Sequence, residues 1–158
     1  MLNFLKNTLI YIALIYTTIY LELNVITPIK VIGDSMEPNI SDGDIMIIDR
    51  CNTHVEDIKR FDIVVIKYQE KYIIKRIIGL PGEKIRYKEN KLYINDTLIK
   101  EPFLNDQTIT EDFYLKNTNI PNNQYLVLGD NREISLDSRS IGLIDSEKII
   151  GKTIWKIG

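Results

Sequence analysis

From Asn7 to Leu21 the chain reads NTLIYIALIYTTIYL, with no charge, glycine or proline, and Lys6 and Glu22 bracket the run. Such a stretch is apolar on every face of a helix, which a soluble surface helix is not. Spanning a bilayer takes about 20 mostly apolar residues. Leu2–Leu23 reaches that length if Lys6 and Glu22 extend their charged ends to opposite interfaces. Tyr11, Tyr16 and Tyr20 suit that placement, because tyrosine favours the interfacial zone. The LELNVITPIK that follows has no small-residue cleavage site of the kind that ends a secretion signal. Residues 1–29 therefore read as an uncleaved anchor with its juxtamembrane segment; the competing reading is a helix buried all round in a soluble core. Lys6 and the amino terminus bias the N-terminal end toward the cytoplasm.

Beyond Pro28 the pattern changes to short β-branched and aromatic runs separated by turn residues, as in an all-β domain. The expected strands are Ile45–Ile48, Ile63–Tyr68, Tyr72–Ile78, Lys84–Tyr87, Leu92–Ile94, Thr97–Ile99, Phe113–Leu115, Tyr125–Leu128 and Ile149–Trp155. Leu80-Pro81-Gly82 and Asn95-Asp96 fall where turns are needed, and Asn95-Asp96 tolerates the positive φ of a tight hairpin. Trp155 reads as core packing, with the membrane interface as its other possible place. The expected architecture is mainly β: a compact domain of antiparallel sheets over residues 30–158, with a small hairpin-containing insertion at 79–127, behind one transmembrane helix.

Composition closes several routes. With 20 basic against 22 acidic side chains the net charge is -2, which argues against nucleic acid as a partner. A single cysteine, Cys51, excludes an internal disulfide and multi-cysteine metal sites. A single histidine, His54, excludes a multi-histidine metal centre and lies in a polar stretch that reads as solvated surface. No metal and no cofactor is expected.

Three clusters remain as candidates for chemistry. In Gly33-Asp34-Ser35-Met36-Glu37-Pro38 a serine sits between a flexible glycine and a rigid proline, which can hold it at a sharp exposed turn. The same residues also make ordinary loops. In Tyr72–Ile78, strand alternation puts Ile73, Lys75 and Ile77 on one face and Ile74, Arg76 and Ile78 on the other. A lysine desolvated by such neighbours loses proton affinity and becomes a usable general base; an edge strand with its basic ends in water is the alternative. The third cluster, Leu128–Gly142, is dense in hydrogen-bonding side chains: Asp130 or Asp137 can neutralise a buried Arg76, and Ser135 or Ser138 can fix an amine.

GDSMEP, DIVVIKY, YIIKRIIGLPGEKI and GDNREISLDSR, in that order, resemble the motifs of type I signal peptidases (leader peptidases) in their minimal, single-anchor bacterial form. The resemblance runs from the anchor to about Gly142. It implies a membrane-bound serine endopeptidase that removes signal peptides from secretory preproteins through an acyl-enzyme. It further implies a place in the plasma membrane, single-pass, with the catalytic domain extracytoplasmic and lipids as its surroundings. Carried over by motif, Ser35 is the nucleophile and Lys75 the general base, and Ser135 orients the lysine amine. Gly33, Asp34 and Ser35 form the oxyanion turn; Arg76, Asp130, Asn131, Asp137 and Arg139 form a supporting network. Small apolar substrate pockets are expected at Ile32, Met36, Pro38, Ile40, Ile73 and Ile74.

The chain departs from the family pattern in places. Gly33 stands where some members carry a second oxyanion donor, Asn39 where threonine is usual, Phe61 where glycine is common, and Ser140-Ile141 replace a pair that often includes an aromatic. Competing functions are a soluble Ser/Lys autoprotease, a catalytically inactive membrane-tethered binding paralogue, and a Ser/Lys peptidase dedicated to pilin or conjugation precursors. The first requires an N-terminal DNA-binding domain, for which 29 apolar residues leave little room.

Overall fold

A computed structural model of the chain describes residues 2–24, 26–50, 58–115 and 119–157. Cys51 and His54 lie outside the described residues. The chain opens with helix α1 (Leu2–Asn24), then runs through β1 (Ile26–Lys30), β2 (Ile45–Asp49), β3 (Ile63–Tyr68) and β4 (Lys71–Gly79). A block of short strands follows: β5 (Ile85–Lys88), β6 (Lys91–Ile94), β7 (Thr97–Ile99) and β8 (Phe113–Tyr114). The chain ends with β9 (Gln124–Leu128), a one-turn helix α2 (Ser138–Ile141), β10 (Ile144–Asp145) and β11 (Ile149–Ile157).

The strands form two antiparallel sheets, one of seven in the order β1-β2-β11-β3-β4-β9-β10 and one of four in the order β7-β6-β5-β8. Alternation explains how both faces of the large sheet are covered. Ile77, Tyr125 and Val127 pack into one cluster with Val64 and Ile66. Their neighbours Ile78, Leu126 and Leu128 point the other way and pack with Ile85, Tyr87, Leu92 and Ile94 of the small sheet. Burying each such side chain contributes roughly 1.5–3 kcal/mol. The hairpin turn has the backbone its residues favour, with Asn95 and Asp96 at φ 50 and 63.

Two elements differ from expectation. β1 pairs along β2 from Ile26↔Asp49 to Lys30↔Ile45, so the sheet begins within the segment read as juxtamembrane. Trp155 is not core: it is 66 % exposed. The reason is register, since β11 pairs with β3 only as far as Lys152↔Val64, and its last residues reach past the packed interior alongside β2 alone.

Helix α1 forms where the apolar run predicts it, and its described side chains are exposed on every face. Among the described residues, however, no helix is long and apolar enough to cross a membrane. Polar side chains dilute the run, although Thr8, Thr17 and Thr18 turn their hydroxyls onto carbonyls one turn back.

Candidate active site

The segment after β1 folds into turns closed by Glu37 N–H to Asp34 O and by Asn39 and Ile40 N–H to Met36 O. Met36 and Ile40 anchor these turns by packing with Val31 and Met46. Ser35 is thereby held at the edge of a rigid corner. Across from it, β3 and β4 pair with Val64 opposite Lys75, and the alternation of β4 aims the lysine toward that corner. Lys75 Nζ lies 2.6 Å from Ser35 Oγ and donates to its neighbour's carbonyl, Ile74 O, at 2.8 Å. Lys75 is only 2 % exposed. Burial pushes its pKa down to about 8, and the nearby carboxylates of Asp137 and Asp130 only partly oppose this. The edge-strand reading, with the lysine in water, is excluded.

Arg76, one residue on, points to the opposite face and is fully paired. Its Nε and Nη2 grip Asp130 Oδ1 and Oδ2 at 2.8 and 2.5 Å. Its Nη1 donates to Phe61 O, and its guanidinium lies 4.1 Å from the Phe103 ring centroid. Asn39, the departure from threonine, donates to Asp130 Oδ2 and to Phe103 O. Phe61, the departure from glycine, takes the left-handed φ of 71 that glycine would accept without strain. Its ring packs edge-on against Phe103 at 5.0 Å.

Asp137 forms a separate pair. It receives Arg139 Nε and Nη2, both at 2.9 Å, and Gly129 N–H at 3.0 Å. Burial alone would raise this carboxyl; Arg139 and the Gly129 N–H outweigh it and hold the pKa below the ordinary value. The expected single network is thus two ion pairs, Arg76–Asp130 and Arg139–Asp137, flanking one unpaired amine. Asn131 joins them to Ser35, its N–H donating to Ser35 O at 3.2 Å.

Other expected residues fall less neatly. Ser135 Oγ is buried and, among the described residues, makes no hydrogen bond of ordinary geometry, to Lys75 or to another group, although it lies near enough to Asp137 to help lower that carboxyl. Gly33 has φ 91 as a turn glycine should, but its N–H is taken by Asp42 Oδ1 at 2.8 Å and is not open to an oxyanion. The side chain of Asp34 is exposed. Ser35's own amide has no partner among the described residues. Four of the residues expected at substrate pockets sit in or against packed clusters. Met36 and Ile40 fill core, Ile73 and Ile74 pack against two different core clusters, and Ile32 is 90 % exposed. Met36, Ile40 and Ile74 meet in one cluster, Ile73 packs into another on the opposite face of β4, and Ile32 stands outside both. Pro38 does line a cleft of about 320 Å³, together with Glu37, Asn105, Gln107 and the loop Asp130–Glu133.

This geometry sets a buried amine against a serine hydroxyl, and comparison with known proteins gives the family. The family described as signal peptidase, peptidase S26, matches residues 1–157. The chain belongs to that family. Signal peptidase I V of Bacillus subtilis is 40% identical over 134 residues, covering 77% of this chain and 80% of its own length. Signal peptidase IB of Staphylococcus aureus is 36% identical over 148 residues, covering 84% of this chain and 78% of its own. The crystal structure of a signal peptidase I from Enterococcus faecalis superposes with a TM-score of 0.53 at 33% identity, covering 60% of this chain and 95% of that one. Signal peptidases of this family are serine endopeptidases, and the chain is an enzyme of that class.

Two contributors to this signal peptidase site escaped the sequence. A Cβ on Gly129 would collide with Ser135 Oγ and Ser35 O, so only glycine lets the loop approach the nucleophile. Arg132 lies 3 % exposed among partners from the small sheet. Their only signal was membership of the GDNR motif.

Proposed function

We propose that this signal peptidase cuts secretory precursors with Ser35 as nucleophile and Lys75 as general base, from a position tethered to the membrane by α1. The observation that carries the reading is the 2.6 Å contact between an unpaired, desolvated amine and a serine hydroxyl. With its pKa near 8, Lys75 is roughly one-tenth neutral at pH 7, far more than a lysine of ordinary pKa. The neutral amine takes the Ser35 proton as Oγ attacks the scissile carbonyl, then gives it to the leaving amine. A water activated by the same amine hydrolyses the ester and frees Ser35. The Ser35 N–H, without a partner among the described residues, is the available donor to the oxyanion, worth a few kcal/mol in the transition state. Ser135, buried and unsatisfied beside the pair, supplies a hydroxyl that orients the amine once substrate closes the site.

The N-terminal half of β4, Lys71–Lys75, pairs with β3 on one side, while β9 joins it on the other only from Arg76 onward. That open edge suits an extended substrate docking by strand addition. Anchoring is supported by an α1 with exposed apolar side chains on every face and by Leu21 and Leu23, which extend the run. Ile32, Ile45, Ile154 and Trp155 are exposed in and around β1, β2 and β11, where α1 enters the sheet, and they suit contact with lipid. A catalytic domain outside the cytoplasm follows from Lys6 at the N-terminal end.

The test is incubation of detergent-solubilised protein with a secretory precursor, beside the Ser35→Ala protein, with product masses locating the cut. Cleavage after a short side chain that vanishes in Ser35→Ala and persists in His54→Ala is the expected result. Persistence in Ser35→Ala refutes the assignment.

A further inference from the structure

Arg132 is deeply buried, its side chain 0% exposed, and its guanidinium is engaged in four directions. Nε donates to Gly129 O at 3.1 Å. Nη1 donates to Tyr87 OH at 3.1 Å and to Thr110 Oγ1 at 2.6 Å, and Nη2 donates to Glu101 Oε1 at 2.6 Å. Tyr87 OH in turn donates to Glu101 Oε1 at 2.7 Å. All the partners but Gly129 belong to the small sheet or the loops hung from it. Gly129 itself has no slack: its N–H is held by Asp137, its α-carbon abuts Ser35 O and Ser135 Oγ, and two residues on Asn131 N–H binds Ser35 O.

From this chain of contacts we infer that Arg132 is a positioning residue, which clamps the loop seating Ser35 and Ser135 to the small four-stranded sheet. The small sheet contributes no group to the reaction proposed above. Through Arg132 it fixes where the Gly129–Asn131 backbone stands, and with it the nucleophile's carbonyl. A planar fork reaching four acceptors does this; the single ammonium of a lysine does not. The inference rests on the Ser/Lys reading for its catalytic consequence, but not for the clamp.

Two variants test it, Arg132→Lys, which keeps the charge and loses the fork, and Tyr87→Phe, which removes one acceptor and keeps the ring. Steady-state cleavage of a precursor is measured at a temperature where circular dichroism shows each variant folded, and amide exchange is followed over residues 129–135. Arg132→Lys is expected to lower kcat by about ten- to a hundredfold with KM within about twofold, because misplacement near 1 Å is that damaging. Tyr87→Phe is expected to lower kcat by about fivefold, the scale of one hydrogen bond. Exchange at 129–135 quickens in both. A folded variant with unchanged kcat, a loss confined to KM, or a fall in kcat without faster exchange overturns the inference. If Arg132→Lys does not fold, Tyr87→Phe decides by the same criteria. If the unaltered protein cleaves no precursor, the Ser/Lys reading has failed instead, and the exchange measurement still decides whether Arg132 holds the loop.

Discussion

Lys75 and Arg76 are adjacent on one strand, carry the same formal charge and are both buried, yet the two faces of β4 treat them oppositely. On one face Arg76 meets a carboxylate in bidentate geometry, a carbonyl and an aromatic ring, so every demand of a buried guanidinium is met. On the other, Lys75 meets a hydroxyl and a carbonyl, with carboxylates near but engaged elsewhere. A paired buried charge is locked and inert; an unpaired one sheds its proton more readily, and that readiness is what a general base requires. Both are deep, so depth does not separate them; their partners and the greater basicity of a guanidinium do.

The comparison breaks most plainly by removing the unpaired amine. Lys75→Ala and Ser35→Ala should each lower precursor cleavage by at least about a thousandfold, with the folded circular dichroism spectrum kept; an active Lys75→Ala protein ends the argument. Lys75→Arg should fail as badly, since arginine keeps its proton.

On the paired face the loss should appear in stability. Arg76→Met strands Asp130 in the interior and should cost about 3–5 kcal/mol, read as the shift in urea midpoint. Lys75→Met should do the reverse and stabilise the inactive protein by up to ~3 kcal/mol at neutral pH. The sign follows from linkage. The folded pKa near 8 lies below the ordinary lysine value, so the unfolded chain binds this proton more tightly. The penalty is full below about pH 8 and fades as pH climbs toward about 10.4, so the advantage of Lys75→Met should shrink over that window. Equal urea midpoints across it would contradict a desolvated lysine.

Activity titrates in the matching direction. The pH profile of kcat/KM should rise through about 8, losing about tenfold per unit on the acid side. An acid limb near pH 6.5 that disappears in His54→Ala would point to the histidine instead. The smallest effect belongs to Ser135→Ala. It should lower kcat several-fold with little change in the urea midpoint, because the buried hydroxyl makes no hydrogen bond of ordinary geometry among the described residues.

Much of this site was readable because its residues sit within short motifs. Alternation separated Lys75 from Arg76 without coordinates, and the paired Asp130 and Asp137 were proposed from the cost of leaving Arg76 alone. Pairing across the fold was less accessible. Asp137 takes Arg139, two residues away, and leaves Arg76 entirely to Asp130. Whether an apolar side chain near a reactive serine serves as lining or as foundation is not legible from its neighbours in the chain. Met36 and Ile40 are foundation, fixing the corner that carries Ser35. Trp155 looked like core by composition, and only the point where β11 loses β3 as a partner shows otherwise. Phe61 at positive φ is likewise invisible in a string of letters, since the strain is tolerated for the sake of its contact with Phe103.

The sequence by itself determined most of the strands, though not β1 or β10, together with the apolar helix and the residue types available for chemistry, because periodicity and turn preference are local. Tertiary structure alone decided that residues 35 and 75 touch, that residue 129 must lack a side chain, and that the small sheet reaches the catalytic loop through Arg132. Those outcomes depend on which groups meet across 22 positions of chain or more, and on what each finds when water is excluded.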